Sequence, residues 1–153
     1  MTVELTIEDA EDIAFELARQ MMAISEPMPE FWTRPRHKLE TVLQAPFASF
    51  DGIEKYPEID EKAAVLFYAA CKDHPLQNGN KRMAVVLTVV FLVVNEWWLD
   101  LDPIALYELA RKISRSWPRT RDRKITELTT IFRAGMVPLA NTPGGSAFLA
   151  RRN

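Results

Sequence analysis

One short polar stretch in the middle of the chain combines a histidine, a compact turn and two adjacent cations. From residue 74 to residue 82 it reads His-Pro-Leu-Gln-Asn-Gly-Asn-Lys-Arg, and a long apolar run follows it directly. Histidine is the side chain best suited to moving a proton near neutral pH. A Gly/Asn turn that leads into a helix presents backbone N–H groups that attract phosphate. A base next to a phosphate-binding turn indicates chemistry on a nucleotide.

The two cations of this stretch, Lys81 and Arg82, fall in the first turn of the helix that the apolar run predicts. The helix macrodipole disfavours positive side chains at a helix start. We therefore expect an anionic group to offset them. The alternative reading is that both are solvated surface cations and that His74 is a loop histidine that caps the preceding helix.

The stretch resembles the signature of the Fic/Doc superfamily, which reads H-P-F-x-D-G-N followed by G-R or K-R. The Asn-Lys-Arg form is similar to that of the Doc (death-on-curing) branch, whose members are the toxins of toxin–antitoxin pairs. The upstream segment 47–57 and the alanine-rich helix before His74 fit the same family. The resemblance covers roughly residues 5–115. It implies an all-α fold, a compact Fic/Doc-type helical bundle around a buried central helix, with a small β-hairpin flap.

The resemblance implies a role for five residues of the stretch. The imidazole of His74 would act as general base and take the proton of a Ser, Thr or Tyr hydroxyl on a target protein. Gly79 and Asn80 would supply the phosphate cradle, Gly79 because a tight turn often needs φ > 0. Arg82 would hold phosphate oxygens in a bidentate fork, and Lys81 would act as a point charge.

Lys81 also bears on which group is transferred. Adenylylating Fic enzymes carry Gly at this position and a further Arg three residues beyond the motif Arg, where this chain has Val85. In Doc-like proteins the Lys is associated with an inverted nucleotide whose γ-phosphate faces the acceptor. The resemblance therefore implies a protein kinase that uses ATP on a translation factor, elongation factor Tu being the family example. AMP transfer to a protein hydroxyl is the alternative, and a Fic fold that has lost catalysis and serves as a binding module is a third.

Two positions depart from the family pattern. Leu76 replaces the usual Phe, which plugs the core, and Leu can do the same. Asn78 replaces the acidic residue that usually binds Mg²⁺, so the ion would meet an uncharged amide oxygen. Because Mg²⁺ prefers carboxylate and phosphate oxygens, Asn78 predicts a slow or inactive enzyme, or one whose metal depends mainly on the phosphates of the nucleotide.

A hairpin is predicted upstream of the motif. The pair Asp51-Gly52 between Phe50 and Ile53 is a strong signal for a two-residue turn. In Fic proteins the corresponding flap aligns a segment of the target as an added strand. The resemblance therefore assigns target docking to these four residues. A turn without any docking role is the alternative.

Regulation is expected to come from a partner. Self-inhibited Fic proteins carry a helix with the pattern S/T-x-x-x-E-G/N, whose Glu reaches the motif Arg. No Ser or Thr of this chain is followed four positions later by Glu. The resemblance therefore implies inhibition by a separate antitoxin protein that docks through an amphipathic helix.

The composition is that of an ordinary globular protein. The 153 residues favour one domain, and the single cysteine, Cys71, excludes an internal disulfide and is expected to be a small buried hydrophobe. Residues 1–30 hold eight acids and one base, whereas residues 111–124 hold seven bases and one acid. We expect the basic stretch to be a solvated helix end, a contact with nucleic acid or an acidic partner being the alternative. The net charge of −2 argues against a dedicated nucleic-acid binder.

No membrane segment is predicted. Residues 1–30 lack the apolar centre of a signal peptide. The longest apolar run, Met83–Val94, has twelve residues, whereas a membrane-spanning helix needs about 20. The expected location is the cytoplasm.

Periodicity and breaker residues divide the chain into helices. The predicted helices begin at Thr6, Pro35, Ile59, Asn80, Pro103 and Arg121 and end, in the same order, near Pro27, Pro46, Asp73, Glu96, Trp117 and Gly135. The valine-rich run after the motif is assigned to a helix because of its length. An extended link is expected at 97–101, and the tryptophans at 97, 98 and 117 in the core or at its edge. Residues 1–137 would form the Fic/Doc-like domain and residues 138–153 a loose C-terminal tail.

Overall fold

Helices connected by tight turns make up most of the described chain. The computed structural model describes residues 1–14, 16, 36–73 and 79–152. In chain order the helices are α1 (Ile7–Asp9, continued by a π-helical segment, Ala10–Ala14), α2 (Arg36–Gln44), α3 (Ile59–Lys72), α4 (Asn80–Val94), α5 (Pro103–Arg115), α6 (Arg121–Gly135) and α7 (Gly145–Arg152), with 3-10 turns at Ala45–Phe47, Pro118–Thr120 and Leu139–Asn141. The strands are β1 (Ser49–Phe50), β2 (Ile53–Glu54), β3 (Trp97–Leu99) and β4 (Met136–Pro138). The fold is thus mostly α, as predicted.

Helices α3 and α4, which flank the motif, form the centre of the fold. All residues from 63 to 71 in α3 and from 82 to 88 in α4 are buried. The two helices pack against each other, both contact α5, and α6 covers another side of α3. The valine-rich run is therefore helical, as predicted. Helix α4 ends at Val94 because Asn95 and Glu96 form a turn in which Glu96 has a positive φ of 68°.

Two predicted helix starts are confirmed by their caps. The hydroxyl of Thr6 accepts a hydrogen bond from the N–H of Asp9 at 3.1 Å, and the carboxylate of Asp9 accepts one from the N–H of Thr6 at 2.8 Å, which is a capping box. The carboxylate of Asp102 accepts a hydrogen bond from the N–H of Ile104 at 2.7 Å, with Pro103 in the first helical position. The predicted continuation of the first helix to Pro27 lies outside the described residues.

In the described part of the chain there are two small sheets, where the sequence predicted one hairpin. Strands β1 and β2 form the predicted hairpin. The expected extended link is instead β3, which pairs antiparallel with β4 in the register Trp97↔Pro138, Trp98↔Val137 and Leu99↔Met136. The sequence did not reveal this sheet because each strand has three residues and two helices separate the partners.

The chain after residue 138 is not the loose tail that the sequence predicted. The buried Leu139 begins a 3-10 turn, and α7 follows. Side-chain hydroxyls close these turns, since Thr142 donates to the carbonyl of Leu139 at 2.7 Å and Ser146 to that of Ala140 at 2.9 Å. The Pro-Gly-Gly sequence that indicated a tail is a turn between two helical segments. None of the helices in the described ranges is long and apolar enough to cross a membrane.

Candidate active site

The predicted catalytic stretch lies between the end of α3 and the start of α4. Residues 74–78 are outside the described residues, so the roles of His74 as base and of Asn78 as metal contact stay predictions. The structure describes both flanks of that segment, ending at Asp73 on one side and resuming at Gly79 on the other. The site is therefore built from the residues that hold these flanks and from those that begin α4.

Gly79 turns the chain into α4. It is the N-cap residue and has the left-handed values φ 77° and ψ 16°. Glycine adopts this conformation without the steric cost that a Cβ brings. The carbonyl of Gly79 accepts a hydrogen bond from the N–H of Met83 at 2.9 Å, so the helix starts directly after the turn. The predicted positive φ is confirmed, while the contact with phosphate stays a prediction.

The first turn of α4 is electrostatically positive. It contains Asn80, Lys81 and Arg82 and no acidic residue. The first N–H groups of any helix add partial positive charge at the same end. Lys81 is half-buried, whereas Arg82 is buried, with 5% of its surface exposed. Lys81 is thus the more accessible of the two cations, and Arg82 is more enclosed than the prediction of a direct phosphate grip implies.

Cys71 is the buried cysteine near the end of α3, and the charges of two lysines act on it. Its thiol is buried, and this burial raises its pKa well above the ordinary value, although the charges of Lys81 and Lys72 act in the opposite direction. The thiol is therefore protonated at neutral pH and packs as a small apolar group, as predicted.

Lys72 fastens the end of α3 to the end of α5. Its ammonium donates to the carbonyls of Ser114 at 3.3 Å and Ser116 at 2.6 Å. Carbonyls at the C-terminal end of a helix favour a cation. The contact holds the chain two residues before His74. No sequence pattern indicates it, because the partners are backbone atoms 42 and 44 positions away.

Trp117 was expected in the core or at its edge, but 69% of its surface is exposed. It follows Ser116, and the guanidinium carbon of Arg119 lies 5.4 Å from the centre of its ring. The prediction failed because α5 ends at Arg115 and the apolar face of that helix no longer directs the ring inward. Trp97 packs partly against the core, as expected.

The basic stretch 111–124 is partly paired with neighbouring acids. Arg111 lies 3.1 Å from Glu108, and Lys124 lies 3.0 Å from Glu127, both three residues apart on a helix surface. Exposed pairs of this kind contribute little to stability. They fit the reading of this stretch as a solvated helix face.

The predicted flap is a hairpin with a two-residue turn. Phe50 pairs with Ile53 across the two strands. Asp51 and Gly52 both have positive φ, 51° and 75°, the pattern of the type I′ turn that matches the twist of the strands. The side chains of Phe50 and Ile53 are 85% and 72% exposed. The hairpin is confirmed, and its apolar tip is a surface that a partner can cover.

A buried lysine that the sequence did not point out holds the base of the hairpin. Lys62, near the start of α3, has 1% of its side chain exposed. Its ammonium donates to the carboxylate of Glu54 at 3.1 Å and to the carbonyl of Tyr56. The ring of Phe47 lies beneath it, with its centre 5.4 Å from the ammonium. The signal in the sequence was its position on the apolar face of α3, where a lysine is unusual.

Helix α3 extends from the base of the hairpin to the residues that precede the motif. Lys62 holds the hairpin near the start of the helix, and Lys72 is its last residue. At 1.5 Å per residue, these two positions are about 15 Å apart along the helix axis.

Two arginines of α6 bind the start of α3 and the segment that joins it to the hairpin. Arg121 donates to the hydroxyl of Tyr56 at 3.1 Å and lies over the ring of Tyr68, 5.7 Å from its centre. Arg133 donates to the buried carboxylate of Asp60. The segment that joins the hairpin to α3 is therefore held from both α3 and α6.

Metal ligands are not clustered in the part of the chain that the structure describes. No group of three or more His, Cys, Asp or Glu side chains there is placed to hold a metal ion. The predicted metal contact, Asn78, lies outside that part.

Comparisons with known proteins agree with the motif. The model of the Fic/DOC family matches residues 5–92, a range that includes the hairpin and the whole stretch 74–82. Toxin Doc of Mycolicibacterium smegmatis (strain ATCC 700084 / mc(2)155) is 35% identical over 64 residues, which are 42% of this chain and 49% of that protein. The chain thus spans about half the length of this curated relative. No solved structure matches the chain. Because the family match extends over more than half of the sequence, the protein belongs to the Fic/DOC family.

Proposed function

We propose that the protein is a Doc-type toxin that transfers the γ-phosphoryl group of ATP to a Ser or Thr hydroxyl of a translation protein in the cytoplasm. The start of α4 carries this proposal, because Gly79 turns in the left-handed conformation into a first turn with two cations and no acid. The histidine that could take a proton stands five residues earlier. Elongation factor Tu is the first target to test, since it is the example that the family resemblance supplies.

In the proposed reaction the protein orients the reactants and moves one proton. The acceptor oxygen forms a bond to the γ-phosphorus while the bond from that phosphorus to the bridging oxygen breaks, and ADP leaves. The hydroxyl proton passes to the imidazole of His74 and from there to solvent. Lys81 and the N–H groups at the start of α4 would hold the phosphate oxygens. Arg82, being buried, would contact only those oxygens that enter the cradle.

Mg²⁺ is the proposed cofactor. When bound, it would neutralise charge on the phosphates of the nucleotide. Asn78 would contact it through the amide oxygen, and the phosphates would supply the charged ligands that this ion prefers.

Lys81 supports phosphoryl transfer over adenylyl transfer. Its side chain occupies the position where adenylylating Fic enzymes have glycine. A half-buried lysine there reduces the space for two phosphates at the helix start. AMP transfer is the second candidate function because the same motif serves it.

A separate antitoxin chain is the proposed inhibitor. The name of the relative, Toxin Doc, supports the toxin assignment. Toxins of the Doc branch occur with an antitoxin partner, and the partner would dock through an amphipathic helix. Co-expression with the protein encoded next to this one would relieve any growth arrest if that protein is the antitoxin.

The transferred group is identified by labelling. The protein is incubated with bacterial lysate and with ATP labelled at either the γ-phosphate or the α-phosphate. Label on a protein from the γ position alone supports the kinase, and label from the α position supports AMP transfer. If neither position labels a protein, the result supports a Fic fold that serves only as a binding module. The His74→Ala protein is the control, and labelling that persisted in it would exclude His74 as the base.

A further inference from the structure

Lys62 is an unusual residue to bury at the start of α3. Its ammonium is almost completely removed from water, which costs free energy that only good partners offset. Both described acceptors of this ammonium, the carboxylate of Glu54 and the carbonyl of Tyr56, belong to the hairpin and the segment that follows it. The bonds of this ammonium therefore join the hairpin to the helix.

Besides Lys62, the residues that flank the hairpin are held by Arg121, which donates to the hydroxyl of Tyr56, and by Phe47, which packs against the core. The two strands themselves have little further support. Each strand has two residues, and a hairpin of this size is at best marginally stable alone. The apolar side chains of Phe50 and Ile53 are exposed and do not anchor it to the core. Its own closing bond, from the N–H of Lys55 to the carbonyl of Ala48 at 2.9 Å, holds the two strands together but not to α3.

We propose that Lys62 is a positioning residue that fixes the hairpin on α3, so that an extended peptide segment of the target meets it in one orientation. The inference has two halves, the anchoring of the hairpin by Lys62 and the docking of the target on the hairpin. The docking half rests on the proposed function. Lys62 touches neither ATP nor the reacting atoms in this scheme. Its removal should therefore weaken the use of the protein target and leave the use of the nucleotide unchanged.

Amide hydrogen exchange tests the anchoring. In the Lys62→Met protein an apolar side chain of similar length fills the same space, and the carboxylate of Glu54, whose side chain is 54% exposed, keeps its contact with water, which limits the cost of losing its partner. We expect the amides of residues 53–55 to exchange about ten to a hundred times faster, as the loss of a charged hydrogen bond implies. Exposed Lys38 on α2 supplies the matched control, because Lys38→Met removes a lysine without touching the hairpin. Unchanged exchange in the Lys62→Met hairpin would overturn the inference.

Steady-state kinetics test the docking half, with elongation factor Tu as the acceptor probe. The expected result for Lys62→Met is a KM for the acceptor raised about tenfold, with kcat within about twofold and the KM for ATP unchanged. Lys62→Arg, which keeps the charge, should recover most of the loss. Faster exchange with an unchanged acceptor KM would overturn the docking half. If the wild-type protein transferred no phosphate to this acceptor, the proposed target would fall, and the exchange measurement would still decide the role of Lys62.

Discussion

The ammonium of Lys72 donates a 2.6 Å hydrogen bond to the carbonyl of Ser116, which joins the last residue of α3 to the end of α5. Two residues later the chain reaches His74. The contact therefore holds the end of α3, from which the chain continues into the predicted catalytic stretch. The exposed Trp117 follows Ser116 directly in the chain.

Loss of this contact should reduce activity more than stability. Lys72→Met removes two hydrogen bonds of a partly buried cation, for which we expect a destabilisation of about 1 kcal/mol. A displacement of the base by a fraction of an ångström should lower kcat/KM by about tenfold or more. Urea unfolding and phosphate transfer measure the two effects. Lys112→Met, an exposed lysine on α5, is the control. Equal activity of the two variants would show that the contact does not position the motif.

Gly79 and Gly52 allow a matched comparison. Both have positive φ, 77° and 75°, so alanine at either position should cost about 1–2 kcal/mol. We expect Gly79→Ala to weaken ATP binding by about tenfold, since it shifts the N–H groups that begin α4. Gly52→Ala strains the hairpin turn and should leave ATP binding unchanged. Calorimetric titration of both variants with ATP and Mg²⁺ distinguishes the two, and equal affinities would remove Gly79 from the cradle.

The burial of the Cys71 thiol predicts that the protein loses stability in alkaline solution. Its ordinary pKa is 9.0 and burial raises it in the folded protein, so above this pH the unfolded chain releases a proton that the folded chain keeps. The stability that the buried, protonated thiol contributes is fully present below about pH 9. Above that pH the free energy of unfolding should fall by about 1.4 kcal/mol per pH unit.

Cys71→Ala lacks this slope, although the cavity that it leaves lowers stability at every pH. Denaturant unfolding of both proteins at about pH 8 and about pH 10 measures the difference. The pKa of Tyr68 is also raised by burial, but this tyrosine is present in both proteins and its effect cancels. Parallel pH profiles would contradict the burial of an un-ionised thiol.

Asn78→Asp should strengthen the dependence on Mg²⁺. A carboxylate supplies the charge that the amide lacks, so the Mg²⁺ concentration for half-maximal transfer should fall by about tenfold and turnover should rise. Gln77→Glu adds the same charge one position away and controls for a general electrostatic effect. An identical metal titration for Asn78→Asp and the wild type would remove residue 78 from the metal site.

The exposed side chains of Phe50 and Ile53 at the hairpin tip should affect binding of the target protein and not the stability of the fold. Phe50→Ser and Ile53→Ser replace side chains that face solvent, so stability should change by about 0.5 kcal/mol or less. If the tip docks the target, the KM for the acceptor protein should rise about tenfold while ATP binding stays constant. Ile104→Ser on α5, where 73% of the residue is exposed, is the control. An unchanged acceptor KM in both hairpin variants would favour a turn without a docking role.

Local signals in the sequence predicted the elements of the fold well. The capping box of Thr6 and Asp9, the cap at Asp102 and the Asp51-Gly52 turn depend on residues within four positions of one another. The same holds for the left-handed Gly79. Such features are decided by short-range sterics and hydrogen bonds, which a sequence displays directly. The pairing of β3 with β4 was missed because its partners are far apart in the chain and each strand is too short to show a period.

By itself, then, the sequence determined the family motif, the helical character of the chain and the hairpin. Only the tertiary structure decided which cations are enclosed and what they hold. Lys62 and Lys72 are lysines of the same helix, yet one is buried under the hairpin and the other binds the end of α5. The physical reason is that the fate of a long charged side chain depends on the acceptors that distant elements bring within its reach, and those acceptors are largely backbone carbonyls with no signature in the sequence.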